Sequence, residues 1–222
     1  MINYLKFVKN KKIQCTLILS ILFTIYIFFC AYTYATHVSS NLSNTVLRLH
    51  VIANSNSEND QNLKYIVRDN LISYMNTLSI NCSSKEEVIQ IANENLNEFK
   101  RIAQNTIYDN GYNYDVSVEL GTFEFPSKTY GDISFPAGIY DALRIKIGNA
   151  SGNNWWCVMF PPLCFVDITT GIVPNNSKKH LENSLPKEEY SIISNQNNSS
   201  YKIKFKLIEF FEKKGLITAQ NN

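Results

Sequence analysis

Val46-Leu47-Arg48-Leu49-His50-Val51-Ile52-Ala53 is the stretch on which the fold turns. Side chains alternate across a strand, so Leu47, Leu49 and Val51 share one face while Val46, Arg48, His50 and Ile52 share the other. The run ends in Asn54-Ser55-Asn56, residues that favour turns. Ser57 then caps a helix whose first turn carries Glu58 and Asp60, where the positive end of the helix dipole favours acids. Leu63, Ile66, Val67, Leu71, Tyr74, Met75 and Leu78 follow at helical spacing.

A second helix is predicted from Ser84, because Ser84-Lys85-Glu86-Glu87 has the spacing of a capping box. It carries Val88, Ile91, Ala92, Leu96, Phe99, Ile102 and Ala103 on one face, and Asn110-Gly111 stops it. Tyr114, Val116, Val118 and Leu120 alternate as a strand. The apolar set then changes parity to Phe123 and Phe125, which predicts a bulge near Gly121. Leu143, Ile145 and Ile147 mark a further strand, and residues 155–160 another after the turn Gly148-Asn149-Ala150-Ser151-Gly152-Asn153. Strands so close in sequence are most simply an antiparallel meander. The fold class is therefore α+β: a single domain with two helices on one face of a mostly antiparallel sheet, in the order strand, helix, helix, three strands.

Upstream lie Lys6, Lys9, Lys11 and Lys12, then a run over residues 13–35 without a charge. Basic flank and apolar run together make a membrane-targeting segment, either a cleaved signal peptide or a retained anchor, and place the remainder outside the cytoplasm. Thr33-Tyr34-Ala35 has the small residues of a cleavage site, whereas the length suits an anchor. The chain divides into a basic flank 1–12, the targeting segment 13–35, an exported domain 36–173, an Asn/Ser-rich linker 174–200 and a C-terminal segment 201–215. In this last, Ile203, Leu207, Phe210 and Phe211 fit a helix better than a strand. The net charge of +2 is misleading, since four of the 21 basic residues lie before residue 13 and none of the 19 acids does. Without that flank, 17 basic residues face 19 acids, so no basic surface for nucleic acid is implied.

Rare residues collect in Asn154-Trp155-Trp156-Cys157-Val158-Met159-Phe160-Pro161-Pro162-Leu163-Cys164-Phe165-Val166-Asp167. Neither proline can donate to a ladder, so the strand stops there. Cys157 and Cys164 either close a small disulfide loop or remain as two buried thiols, and Cys82 is left over. Trp155 and Trp156 point to opposite faces, one toward a core and one available to a partner or to a covering helix. There is no Gly-rich phosphate loop, nucleophile elbow, zincin motif or metal-spaced Cys/His cluster, so no cofactor or metal is expected. One enzymatic alternative remains: an exported hydrolase of the envelope with Cys157 or Cys164 as nucleophile and His50 as base. A strand histidine between apolar neighbours is more often structural.

Several of these segments resemble the stage II sporulation protein R family of endospore-forming bacteria. They are Val46 through Ser55, Glu58-Asn-Asp-Gln-Asn-Leu-Lys, Val67-Arg68-Asp69, Gly121 through Gly138 (GTFEFPSKTYGDISFPAG), Tyr140 through Lys146, and Asn154 through Asp167. The resemblance implies a non-catalytic signal. Such a protein is exported from the forespore to the space between the two membranes, where it triggers a membrane-embedded aspartic-type peptidase of the mother cell that processes pro-sigma-E. The surface expected to meet that peptidase comprises Arg48, His50, Trp155, Trp156, Phe160, Pro161 and Pro162.

Overall fold

The structure, a computed structural model, describes residues 2–163, 173 and 175–194. Helix α1 (Ile2–Thr45) is unbroken. Its stretch Lys11–Tyr34 is 24 residues, which as a helix spans about 36 Å and exceeds the roughly 30 Å of bilayer hydrocarbon. The segment thus has the length and composition of a signal or anchor. The same helix continues past the span into the folded domain, where Val38 and Leu42 are buried.

One residue, Val46, joins α1 to β1 (Leu47–Ile52). Helix α2 (Glu58–Leu78) begins at Ser57, whose hydroxyl accepts the Asp60 N–H at 3.2 Å. The expected second helix is two. Helix α3 (Lys85–Glu94) starts at Ser84, which accepts the Glu87 N–H, while the Glu87 carboxylate accepts the Ser83 N–H at 2.8 Å. Asn95 ends it, because its side chain donates to the Ile91 carbonyl and accepts from the Tyr74 hydroxyl in place of continuing the ladder. Helix α4 (Leu96–Asp109) follows at once.

Strands β2 (Val116–Phe125), β5 (Gly138–Ile147) and β6 (Asn154–Phe160) are the three expected ones, with a short hairpin, β3 (Lys128–Tyr130) and β4 (Ile133–Phe135), between the first two. The α+β class stands, with a mostly antiparallel sheet, but the three strands are not a meander. The order is β2-β5-β1-β6, with β1 parallel to β5 and antiparallel to β6. Strand β1 takes an interior place because both its faces are apolar or covered: residues 47–51 are all buried. The β5–β6 loop can pass over the end of β1 because it is hydrogen-bonded there, with Gly152 N–H to the Ala53 carbonyl and Ser151 N–H to the Asn54 carbonyl.

No bulge forms at Gly121. The β2–β5 register is continuous from Val116 opposite Ile147 to Phe125 opposite Gly138. The parity change has another cause: Val116, Val118 and Leu120 pack against the α2–α4 layer, whereas Phe123 and Phe125 pack on the opposite face. The irregularity lies instead between Leu47 and Arg48 in the pairing with β6.

That opposite face is covered too. The end of α1, the β3–β4 hairpin, and helices α5 (Asn175–Ser184) and α6 (Lys187–Ile193) build a second core with Val38, Leu42, Val46, Leu181, Leu185, Ile192 and Ile193. Residues 175–194, within the stretch that composition suggested as a linker, therefore hold two helices, and their aliphatic side chains Leu181, Leu185, Ile192 and Ile193 are buried. The C-terminal segment 201–215 lies outside the described residues.

Candidate partner-binding site

Arg48 and His50 belong to the face of β1 turned toward the second core, and neither is part of an open polar surface. Arg48 is fully buried. Its guanidinium carbon lies 4.3 Å from the centroid of Phe125 and 4.7 Å from that of Tyr140, and Nη2 donates to the Tyr130 hydroxyl at 2.9 Å. That hydroxyl in turn donates to the Trp156 carbonyl at 3.0 Å, which ties the hairpin to β6. Among the described residues Arg48 Nε and Nη1 have no acceptor. Burial raises the Tyr130 phenol above its ordinary value, against the pull of Arg48, so it stays protonated.

His50 is 5% exposed and stacks on Trp156, with centroids 3.7 Å apart and planes at 17°. Its Nε2 lies 2.8 Å from Asn154 Oδ1; an amide oxygen accepts, so Nε2 carries the hydrogen and Nδ1 is left without a partner among the described residues. Burial lowers its pKa, the cations Arg144 and Lys146 lower it further, and the Asn154 hydrogen bond only partly opposes them. The ring is neutral at pH 7.

Strand register extends this into a transverse row, Trp156-His50-Arg144-Glu119, across β6, β1, β5 and β2. Arg144 Nε and Lys146 Nζ both reach Glu119 Oε1, at 2.7 and 2.8 Å, and Arg144 lies 3.8 Å over the Phe123 ring. The hydrogen bonds from Arg144 and then Lys146 bring the Glu119 carboxyl down to about 2. Glu119 and Lys146 are 40% and 37% exposed, so this end of the face meets solvent. Arg144, Lys146, Glu119 and Phe123 were not singled out from sequence; the signal was the alternation Arg144-x-Lys146 opposite Glu119.

Trp155 points the other way, toward α2. Arg68 stacks over its ring at 4.3 Å and over Tyr65 at 4.9 Å, while the Trp155 indole N–H is unpartnered. Most of the rest of the expected surface is covered. Phe160 and Pro161 are buried, Phe160 packs edge-on against His180 of α5, and the Pro162 carbonyl accepts from Ser177 at 2.8 Å. Of the expected surface, the two tryptophans and Pro162 are half-exposed. Cys157 is disulfide-bonded and Cys15, Cys30 and Cys82 are free; Cys164 lies outside the described residues. Cys157 is opposite Leu49 and faces the helical core, whereas His50 faces the second core, so the Cys157–His50 pair of the enzymatic alternative is not assembled. Among the described residues no cluster of His, Cys, Asp and Glu has the makings of a metal site.

A polar network closes the far end of the sheet. Asp60, 4% exposed, accepts from Asn54 Nδ2 at 2.9 Å and Ser55 Oγ at 2.5 Å. Burial by itself raises this carboxyl, but hydrogen bonds from Ser55, Asn54, Tyr114 and Ser57 prevail and hold it below the ordinary value. Lys64, 1% exposed, donates to Gln61 and to the Asn153 carbonyl, while Asn56 accepts from the Asn153 N–H. Gly152 is obligatory: a Cβ there would sit 2.1 Å from the Ser55 carbonyl oxygen. The Asn-Ser turn and the Gly148–Asn153 turn were legible separately, but not their union.

Comparison with known proteins places these residues in context. Residues 43–170 match the family described as stage II sporulation protein R. A stage II sporulation protein R of Bacillus subtilis strain 168 is 42% identical over 125 residues, 56% of this chain and 56% of that protein. The chain thus matches little more than half the length of that relative. No solved structure matches. The family match covers more than half of the chain and takes in β1 through β6, with the row and the polar network described above: the chain belongs to the stage II sporulation protein R family.

Proposed function

We propose that this chain is an exported sporulation signal, made in the forespore, whose folded domain binds the extracytoplasmic part of a mother-cell membrane peptidase and thereby switches on processing of pro-sigma-E. It acts as a protein ligand. The observation that carries the reading is family membership joined to a membrane-length helix that runs without a break into the matched domain. A ligand activates only through greater affinity for the active state of its receptor, so the domain must present a surface of fixed shape. The two-sided core and the Asn54–Asp60–Asn153 network supply that rigidity. Trp155 with Arg68, and Trp156 with His50, are the half-exposed aromatic anchors suited to such a contact.

Co-expression of the full chain, the peptidase and pro-sigma-E in a non-sporulating host tests this. Processing is expected with the wild-type chain and is weakened by Trp155→Ala and Trp156→Ala. If the full chain, shown to be folded and exported, leaves pro-sigma-E uncut, the signalling reading is wrong.

A further inference from the structure

Among the described residues strand β2 is an edge of the sheet and pairs with β5 alone. The direction of its backbone groups follows from its first residues. The Asp115 carbonyl accepts the N–H of Gly148, the residue after β5, whereas the Val116 N–H goes to Gln104 Oε1 at 3.2 Å. Successive residues of a strand point their backbone groups to opposite sides. Val118, Leu120, Thr122 and Glu124 therefore turn N–H and C=O away from β5. Exposed edges of this length are ordinarily blunted by proline, a bulge or a covering segment. Here ten residues contain no proline and keep a continuous register.

The side chains along this edge differ between its faces. Val118 and Leu120, half-buried, continue the apolar helical face. On the other face Phe123 lies back over Gly121, beneath Arg144, and two cations share one oxygen of Glu119. One positive charge is thus in surplus there.

We propose that β2 receives an extended segment of the partner protein as an added strand, apolar beside Val118 and Leu120 and acidic beside Arg144 and Lys146. Main-chain hydrogen bonds to the outward groups give affinity, and the alternating side chains give specificity. A second copy fits less well. Two-fold pairing of β2 with itself reverses strand direction, so the N-terminal ends of the two β1 strands, each preceded by an α1, fall at opposite ends of the joined sheet. That does not suit two helices in one bilayer. The proposal rests on the reading that the domain acts by binding.

Thr122→Pro in the full chain tests it in the co-expression assay. Thr122 is exposed and its N–H faces outward, and edge strands tolerate proline, so the four-stranded ladder keeps its backbone bonds and the variant loses the exposed bond from Thr122 Oγ1 to Asp141. Pro-sigma-E processing should fall by about tenfold or more with no change in urea midpoint. Lys146→Glu, which turns the surplus of one positive charge into one negative charge without touching the backbone, should lower it several-fold and decides the matter if the proline variant does not fold. Wild-type processing by both variants overturns the added strand while leaving the signalling reading intact. A silent wild-type chain overturns both. A detergent-solubilised dimer that Thr122→Pro converts to monomer assigns the edge to a second copy and overturns the proposal.

Discussion

Replacing Arg48 by methionine should leave the protein as stable as before or stabilise it, although Arg48 is the largest fully buried side chain. Desolvating a guanidinium costs several kcal/mol even after relaxation. Against this stand two close ring contacts, with Phe125 and Tyr140, each worth about 2 kcal/mol when desolvated. One hydrogen bond, to Tyr130, adds about 1.5–3 kcal/mol. The terms nearly cancel, and among the described residues Nε and Nη1 still lack acceptors. Methionine at this site contributes about 1.5–3 kcal/mol of apolar burial and has no donor to leave unsatisfied. It also fills irregular space between rings. Tyr130 keeps its bond to the Trp156 carbonyl, so the hairpin stays tied. The expected change is therefore between zero and about 3 kcal/mol of added stability. Arg48→Ala, which leaves a cavity among the same rings, should instead cost about 2–5 kcal/mol. Urea unfolding of the full chain in mild detergent, followed by tryptophan fluorescence, measures both. Loss of more than about 2 kcal/mol in the methionine variant would refute the reasoning, because the aromatic box would then hold its cation at a net gain.

Gly152→Ala should destabilise by about 1–3 kcal/mol or more, since its Cβ meets the Ser55 carbonyl oxygen, a backbone atom that yields only by opening the loop union; the urea midpoint checks it. Acid should unfold the protein partly through Glu119. Its carboxyl titrates near 2 when folded against 4.5 as the ordinary value, so the unfolded chain takes up the proton first, and this contribution, complete above pH 4.5, is lost as pH falls toward 2. Half-exposure tempers its size. Glu119→Gln should flatten the urea midpoint against pH in that window. His50 acts with the same sign below its ordinary 6.5, where the unfolded ring protonates and the buried one resists. Lys85→Met should speed proteolytic cleavage in residues 36–45, because the ammonium, 6% exposed, holds both the Ser43 carbonyl and Asp141 at 2.6 Å. Limited proteolysis of the full chain reads that loss.

Local signals in the sequence carried through where a single element decides the outcome. Ser57 and Ser84 cap helices as their spacing predicts, and the alternation in 46–53 divides β1 between two cores. What did not carry through depends on neighbours distant in sequence. Nothing local tells that β1 inserts between β5 and β6, since that arrangement depends on bonds from Ala53 and Asn54 to the Gly148–Asn153 turn. The buried face of α5 and α6 rests on a few aliphatic residues such as Leu181, Leu185, Ile192 and Ile193, too sparse to outweigh a polar composition. For the site, the aromatic cluster of Trp155 and Trp156 was legible, and Arg48 and His50 were rightly placed on one strand face. Their burial was not legible, because the covering residues Phe125, Tyr130 and Phe135 come from β2 and a hairpin of three-residue strands.

The junction of α1 with the domain separates two properties that one helix combines. The span ends at Tyr34, and from His37 onward the helix is bound to the domain: Asn41 donates to Glu189 at 2.8 Å, His37 lies 3.3 Å from the same carboxylate, and Val38, Leu42 and Val46 fill the second core. A cut after residue 35 would leave every one of these contacts in place, so cleaved and anchored forms share one domain structure, and anchoring adds position rather than stability. A chain beginning at residue 36 should accordingly unfold at nearly the same urea concentration as the full protein. A chain beginning at residue 46 loses Val38 and Leu42, each about 1.5–3 kcal/mol of burial, and uncovers the aromatic residues around Arg48. Equal midpoints for the two truncations would mean that the docked turns of α1 contribute nothing to the core. A loss already present in the chain beginning at residue 36 would mean that the fold depends on the membrane helix itself, through Ala31 and Tyr32, which pack at the margin of that core.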